Sequence, residues 1–386
     1  MNIAVSTRFA VTIERDALHK ALAFASHVVE SKNTIPIISH AKLTAHDQSL
    51  TIEATDLDIT AAVTVPADLA MLSGESAITA PAGTLADIVR KLPSGAQISL
   101  EMAEGGASLA LRSGRARFTV NTLTASDFPE LNAGERPHAF RLPADGLAKL
   151  IAATDFAMST EETRYYLNGI YFHAAEVEGA PKLRAVATDG HRLARADIDL
   201  PAGAAGMPGV IVTRKMVAEL TRMVKDGGQD AEIELSERII RVRFAGATLT
   251  SKLIDGTFPD YARVIPAPPP TIATFERKAL LETLERVAII GTGRDRLVRF
   301  EFGPERLLLT ARNPDLGQAM EEIEPLGYEG APMTIGFNAR YMATILATLT
   351  GESVAIGLTD PGSPARIAAD GDDSVPLVLM PIRVPA

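Results

Sequence analysis

The sequence predicts an α+β fold in which one unit, two helices packed on antiparallel sheet, is repeated three times. Three observations carry this reading. The segments SLTIEATDLDITAAV around Thr55, KLRAVATDGHRLARA around Thr188 and RLLLTARNPDLGQAM around Arg312 recur at intervals of roughly 130 residues, near a third of the 386-residue chain. Every repeat opens on a strand that runs straight into an amphipathic helix. Between helices, apolar and polar residues alternate, as in LTIEATDLDITAAVTV and IIRVRFAGATLTSKLI, the mark of strands with one buried face. A chain of this length also exceeds the roughly 250 to 300 residues at which a single core stops growing, so several domains are required.

The first repeat, residues 1–134, begins with FAVTIERDALHKALAFAS from Phe9, where Leu18, Ala21, Leu22 and Ala25 form one apolar stripe. Its second strand-helix-strand is ITAPAGTLADIVRKLPSGAQISLEM, with Thr84 placed to cap the helix. It closes on DFPEL at Asp127, a turn anchored by Phe128, followed by the linker LNAGERPH. The second repeat, residues 135–267, opens with HAFRLPADGLAKLIAATDF from His138 and continues with VIVTRKMVAELTRMVKDGGQDAEIEL. There Thr213 is a cap and Met216, Val217, Leu220 and Met223 are the stripe. It closes on TFPDY, anchored by Phe258, and a proline-rich linker IPAPPPTI, which stiffens the chain and blocks ladder bonding. The third repeat, residues 268–386, opens with IATFERKALLETLERVAII, whose stripe is Leu280, Leu281, Leu284 and Val287, and continues with MTIGFNARYMATILATLTGESVAIGL. Its tail, SVPLVLMPIRV, stays apolar to the end, where chains usually fray; an ordered apolar tail suits the lip of a binding groove.

Composition excludes several chemistries. There is no cysteine, so disulfides, thiolate metal sites and a Cys nucleophile are absent. No apolar run reaches the roughly 20 residues of a membrane span, and the N-terminus lacks a signal-peptide pattern, which predicts a cytoplasmic protein. The seven histidines are scattered without metal-ligand spacing, and the GTG at Gly291 lacks the remainder of a phosphate or dinucleotide loop. No cofactor is expected. Asp189 and His191 stand two apart, but no nucleophile or oxyanion motif accompanies them, so a hydrolase is the weakest reading and a surface loop packing its own side chains the better one. A net charge of −10 argues against nucleic-acid binding unless the positive charge is gathered on one surface.

Seven blocks bring a family into view: KNTIPII at Lys32, RSGRARFTV at Arg112, RYYLNG at Arg164, ATDGHRLA at Ala187, SKLIDGTFPDY at Ser251, IGFNARY at Ile335 and VLMPIRV at Val378. Through them the chain resembles, over nearly its whole length, the bacterial DNA sliding clamps, the beta subunits of DNA polymerase III. The resemblance implies a non-catalytic processivity factor: a head-to-tail homodimer of three-domain subunits, closing a ring with helices inside and sheets outside. Duplex DNA would be encircled without reading its sequence. The implied partners are the clamp loader, the replicative polymerase alpha subunit, and repair and translesion polymerases that dock through short peptides. A duplicated clamp serving drug tolerance or scaffolding is the alternative, hinted at by the loop LTDPGSPARI.

The resemblance also assigns residues. The peptide groove would comprise Leu167, Thr188, Gly190, His191, Arg192, Leu193, Pro259, Arg263, Val264, Asn338, Tyr341, Val378, Leu379, Met380, Pro381, Ile382 and Arg383, with Gly362 and Pro364 altering one side and Val384 to Ala386 partly covering it. The duplex would meet Lys32, Arg90, Lys91, Lys149, Tyr165, Tyr166, Arg214, Lys215, Arg222 and Lys225. The subunit contact would use Arg115, Arg117, Phe118 and Val120 on one side, and Ile289 and Ile290 with the acids Asp315, Glu321 and Glu322 on the other, so that closure leans on apolar packing.

Overall fold

The structure, a computed structural model, describes residues 9–30, 34–69, 75–103, 106–131, 134–225, 227–291, 296–371 and 377–384. Along the chain, strand Ala10–Glu14 leads into helix α1 (Arg15–Ser26) and Ser76–Pro81 into α2 (Ala82–Lys91). In the second repeat, His138–Pro143 leads into α3 (Ala144–Ala152) and Val210–Thr213 into α4 (Arg214–Met223). In the third, Thr271–Glu276 leads into α5 (Arg277–Ala288) and Met333–Asn338 into α6 (Ala339–Thr348). Apart from short 3-10 turns and loops, the rest is antiparallel sheet, so the α+β unit occurs three times.

The helices start where a side chain can replace the missing backbone acceptor. Glu14 accepts from the Ala17 N–H (3.0 Å), and its counterpart Glu276 accepts from the Ala279 N–H (3.1 Å). Thr213 caps α4 through the Met216 N–H, and Asn338 caps α6 through the N–H groups of Arg340 and Tyr341. Each such cap is worth about 1 kcal/mol. Thr84 is not a cap, because α2 begins at Ala82 after Pro81, leaving the threonine inside the helix. The α1 and α4 stripes are buried as expected; in α5, Leu281 is only half-buried, and Thr283 joins Leu280, Leu284 and Val287 inside. Each fully buried leucine in these stripes contributes about 1.5 to 3 kcal/mol.

The chain packs as two compact units: Met1–Ala144 with Ala218–Leu253, and Asp145–Val217 with Ile254–Ala386. Their boundary passes through the second repeat. The first unit holds α1 packed on α2, a five-stranded sheet ending at Ala116–Asn121, and an eight-stranded sheet. In the eight-stranded sheet, His138–Pro143, Asp230–Leu235, Ile239–Phe244 and Ala247–Lys252 continue into Ile59–Pro66, Ser49–Thr55, His40–His46 and Ser76–Pro81. The joint is the pairing of Ala247–Lys252 with Ile59–Pro66, where Thr250 lies opposite Thr60.

The second unit repeats this plan. Thr271–Glu276, Ser353–Leu358, Ala365–Ala369 and Leu377–Leu379 continue into Arg192–Asp199, Ala180–Thr188, Gly169–Val177 and Val210–Thr213, with Gly327–Glu329 added at one end. Its joint pairs Leu377–Leu379 with Arg192–Asp199, Val378 opposite Leu193. A four-stranded sheet ends at Gly317–Ile323. No helix among the described residues is long and apolar enough to cross a membrane.

Beyond its strand, the tail is still held. The Met380 N–H donates to the His191 carbonyl (2.8 Å), and the Ile382 N–H donates to the Gly336 carbonyl (2.8 Å). Gly336 has no room for a side chain: a Cβ would stand 2.6 Å from the Ile382 carbonyl oxygen and 2.8 Å from Val384. Gly336→Ala is therefore expected to detach residues 380–384, raising amide exchange at Ile382 and lowering stability by about 1 to 3 kcal/mol in denaturant titration. Unchanged exchange at Ile382 would refute this.

Candidate functional site

The expected groove residues converge in the second compact unit. Its base is the turn between Ala180–Thr188 and Arg192–Asp199. Thr188 Oγ1 donates to the Arg192 carbonyl (2.7 Å) and accepts from the Gly190 N–H (3.1 Å). Asp189 Oδ1 accepts the N–H groups of His191 (2.9 Å) and Arg192 (3.0 Å), while Oδ2 accepts from Arg192 Nε (3.0 Å). The carboxylate that sequence spacing paired with a histidine thus serves the loop backbone and an arginine. Gly190 has φ 86°, a left-handed conformation that favours glycine, and Arg164 Nη1 lies close beside it.

This turn presents His191 and Arg192 to Tyr341. Asn338 starts α6 and sets Tyr341 in its first turn. The His191 ring stacks on Tyr341 with centroids 6.0 Å apart, and the Arg192 guanidinium lies 4.5 Å from the same centroid and 5.2 Å from that of Phe156. Burial, and then the nearby Asp189 charge, push the Tyr341 hydroxyl above its ordinary pKa.

The adjoining wall is apolar. Leu167, Val186, Leu193, Ile211, Phe258 and Val378 are buried together, and Tyr166, Tyr171, Ile254, Tyr261 and Ile265 pack on them. Phe258 stacks on Tyr171 at 4.9 Å. Tyr261 is held by His173: Nδ1 faces the Ala174 carbonyl (2.8 Å) and must donate, so Nε2 accepts from the Tyr261 hydroxyl (2.9 Å). Burial lowers the His173 pKa, which favours this neutral ring. At the rim, Val264 is 47% exposed and Met380 38%, unusual for apolar groups bordering a core. Pro259 is exposed, and exposed Arg263 pairs with Asp260 (2.8 Å). Leu379 is buried in the joint.

Past Met380, a cavity of about 480 Å³ lies among Ile382, Arg383, Val384, Gly336, Arg299, Pro361 and Gly362. Val384 is thus one of its walls; Pro385 and Ala386 lie outside the described residues. Gly362 sits in a turn closed by Asp360 Oδ1 (2.8 Å), whereas half-buried Pro364 does not line the cavity. Leu193 and Val378 lie buried beneath this surface, and Tyr341 is half-buried beside it. Sequence reasoning missed Phe156, Tyr171, His173, Tyr261 and Arg299 here; the aromatic three residues beyond the Phe258 anchor was the one available signal for Tyr261.

The expected DNA contacts are differently placed. Lys32 lies outside the described residues. Arg90, Lys91, Lys149 and Lys225 are exposed and Lys215 half-buried. Arg90 pairs with Asp87 (2.8 Å), and Arg222 pairs with the buried Glu219. Arg214 Nη2 donates to the carbonyls of Met158 (2.9 Å) and Ser159 (2.6 Å), which commits it to that loop. Tyr165 is 53% exposed, while Tyr166 packs on the apolar cluster.

Of the expected subunit-contact residues, Phe118 is 38% and Ile289 72% exposed; Arg115 is exposed, Ile290 half-buried and Val120 buried. Arg117 donates to the Gly114 (2.8 Å) and Ala116 (2.9 Å) carbonyls. Glu321 is bound by Arg286, which holds its carboxyl below the usual range, and Glu322 by Arg306 (2.7 Å); Asp315 is exposed. Leu316 and Met320, 57% and 62% exposed, add apolar surface that sequence reasoning did not single out.

Comparison with known proteins accounts for this layout. Profiles of the N-terminal, central and C-terminal domains of the DNA polymerase III beta subunit match residues 9–132, 141–260 and 262–383. The beta sliding clamp of Caulobacter vibrioides is 44% identical over 374 residues, covering 97% of this chain and all of that protein. The crystal structure of the Bartonella birtlesii sliding clamp bound to griselimycin superposes with a TM-score of 0.93 at 41% identity, covering 98% of this chain and all of that one. That of the sliding clamp from Caulobacter crescentus gives 0.92 at 44% identity, covering 97% and 100%. The chain belongs to the DNA polymerase III beta subunit family, the DNA sliding clamps.

Proposed function

We propose that two copies of this chain close head to tail around duplex DNA, and that the groove of the second compact unit captures short peptides of replication and repair proteins. The three domains are placed at residues 1–134, 135–267 and 268–386. One observation carries the closure. Each internal joint pairs the last strand of one four-strand set with the first of another, as Ala247–Lys252 pairs with Ile59–Pro66. Two such strands keep one open edge among the described residues: Ala116–Asn121, bonded only to Ser108–Ser113, and Gly317–Ile323, bonded only to Leu307–Asn313. They stand at the positions of Ala247–Lys252 and Ile59–Pro66, so a second copy supplies the missing partner to each. Phe118, Ile289, Leu316 and Met320 give that contact its apolar character, since Glu321 and Glu322 are already ion-paired within the chain.

In this reading the ring holds DNA by topology and needs few phosphate contacts, so exposed Lys91, Lys149 and Lys225 suffice while the acidic exterior repels the duplex. The protein acts in the cytoplasm without catalysing a reaction. Its partners are a clamp loader, the replicative polymerase alpha subunit, and repair and translesion polymerases.

Three experiments test this. After loading, the protein should stay on a nicked circle and be lost when the circle is linearised; equal retention on both would sink the ring. Ile289→Asp should weaken the dimer about a hundredfold or more in sedimentation, because a carboxylate would be buried in an apolar contact. For the groove, Met380→Ala and Tyr341→Ala should each weaken a polymerase-derived peptide about tenfold in fluorescence anisotropy with the dimer intact. Unchanged affinity in both would remove the groove assignment.

A further inference from the structure

The first compact unit has its own cavity, of about 420 Å³, at the place that strand register makes equivalent to the groove. Thr250 lies opposite Thr60 where the second unit has Val378 opposite Leu193. Lys42 lies opposite Glu53 where the second unit has Tyr171 opposite Val186. Phe128 covers this face as Phe258 covers the other, but Lys42 Nζ stands 6.0 Å from its ring where Tyr171 stacks on Phe258. The template is shared and the lining is polar. An apolar anchor would strip water from Lys42 and Glu53, so this cavity does not duplicate the groove's chemistry.

Its charge is unbalanced at one end. Glu234 is the shared partner of three guanidinium groups: Arg136 (2.9 Å), Arg241 (3.8 Å) and Arg243. Arg241 Nε also donates to Thr250 Oγ1 (3.2 Å). Burial, and then the charges of Arg136 and Arg243, hold the Arg241 pKa below its ordinary value. Both Arg241 and Arg243 line the cavity. At the other end, Lys42 lies between Glu53 (3.8 Å) and Glu130 (3.6 Å), two carboxylates on one ammonium, so a ligand's carboxylate is directed to the arginine end. Between the ends, the lining includes Thr51, bonded to Thr64 (2.9 Å), and Thr248, hydroxyls suited to a peptide backbone.

We propose that this cavity is a second docking site, for a short extended acidic peptide whose carboxylate pairs with Arg241 and Arg243 and whose backbone lies over the threonine floor. Charge complementarity selects the occupant: a carboxylate supplies the counter-charge that three arginines obtain only in part from Glu234, and planar guanidinium favours it. The proposal is independent of the peptide-capture reading of the second unit's groove.

The test uses the full-length protein and a short fluorescein-labelled peptide of alternating aspartate and serine, followed by anisotropy at low salt. Saturable binding is expected, weakened about tenfold by Arg241→Gln combined with Arg243→Gln. Thr64→Trp fills the cavity while leaving every charge in place, and should weaken binding similarly; it decides the matter if the arginine variant melts early. The proposal is overturned by absence of saturable binding, or by full affinity in a folded variant. Displacement by the groove's apolar peptide would overturn it by moving the site to the second unit. Displacement by inorganic phosphate as effective as that by unlabelled peptide would reduce it to an adventitious ion only.

Discussion

A four-stranded antiparallel set exposes, along its outer strand, a row of N–H and C=O groups that must be paired with something. This chain meets that demand by letting the strand of one set pair with the strand of another, and much else follows. The joint in the first unit is five residue pairs long, from Ala247 to Ser251; that in the second is three, from Arg192 to Ala194. Because Leu377–Leu379 ends so soon, the next residues leave the ladder and bond singly to His191 and Gly336. Met380 is thereby held at the rim with more than a third of its surface exposed.

Pairing also explains how charge is used. Arg90, Arg222 and Arg286, on three different helices, each hold an acid of the same chain. The exposed pairs of Arg90 and Arg286 add little stability. Their effect is to fix long side chains and to mute the field of each arginine. A protein that lets DNA slide benefits from muted charge, since every tight phosphate contact is one more counterion-release step to reverse on moving. The total of −10 is then no obstacle to enclosing a polyanion.

Much of this was legible in sequence because it is local. The α1 and α4 stripes, the Thr213 cap and the Phe128 and Phe258 anchors each depend on residues within a few positions of one another. A local pattern can have two meanings, and one expectation failed for that reason. Thr84 looks like a cap, but Pro81 already ends the strand and starts the helix one turn earlier. At Asp189 the loop reading is the preferred one and holds, since its carboxylate closes a turn on two backbone N–H groups. Tyr165 and Tyr166 read as a pair; adjacent in the chain, they diverge, Tyr165 exposed and Tyr166 packed on the apolar cluster. The joints were invisible for a different reason: Thr60 and Thr250 meet across most of two repeats, and no periodicity encodes that register.

One backbone plan with two linings shows how little of binding resides in the fold. At matched register positions, Leu193 and Val378 bring apolar surface that Thr60 and Thr250 do not, at roughly 25 cal/mol per Å² removed from water. That surface, with the Tyr171–Phe258 stack, fastens the segment from Ile254 to Ile265 onto the second unit's sheet. In the first unit the covering segment is anchored by Phe128, with Lys42 rather than a second aromatic beside it, and threonines line what lies below. Hydroxyls and guanidinium groups gain little by excluding water, so the cover has less reason to close down on them. A cavity lined by arginine and threonine is the consequence, and its ligand must bring charge rather than apolar surface.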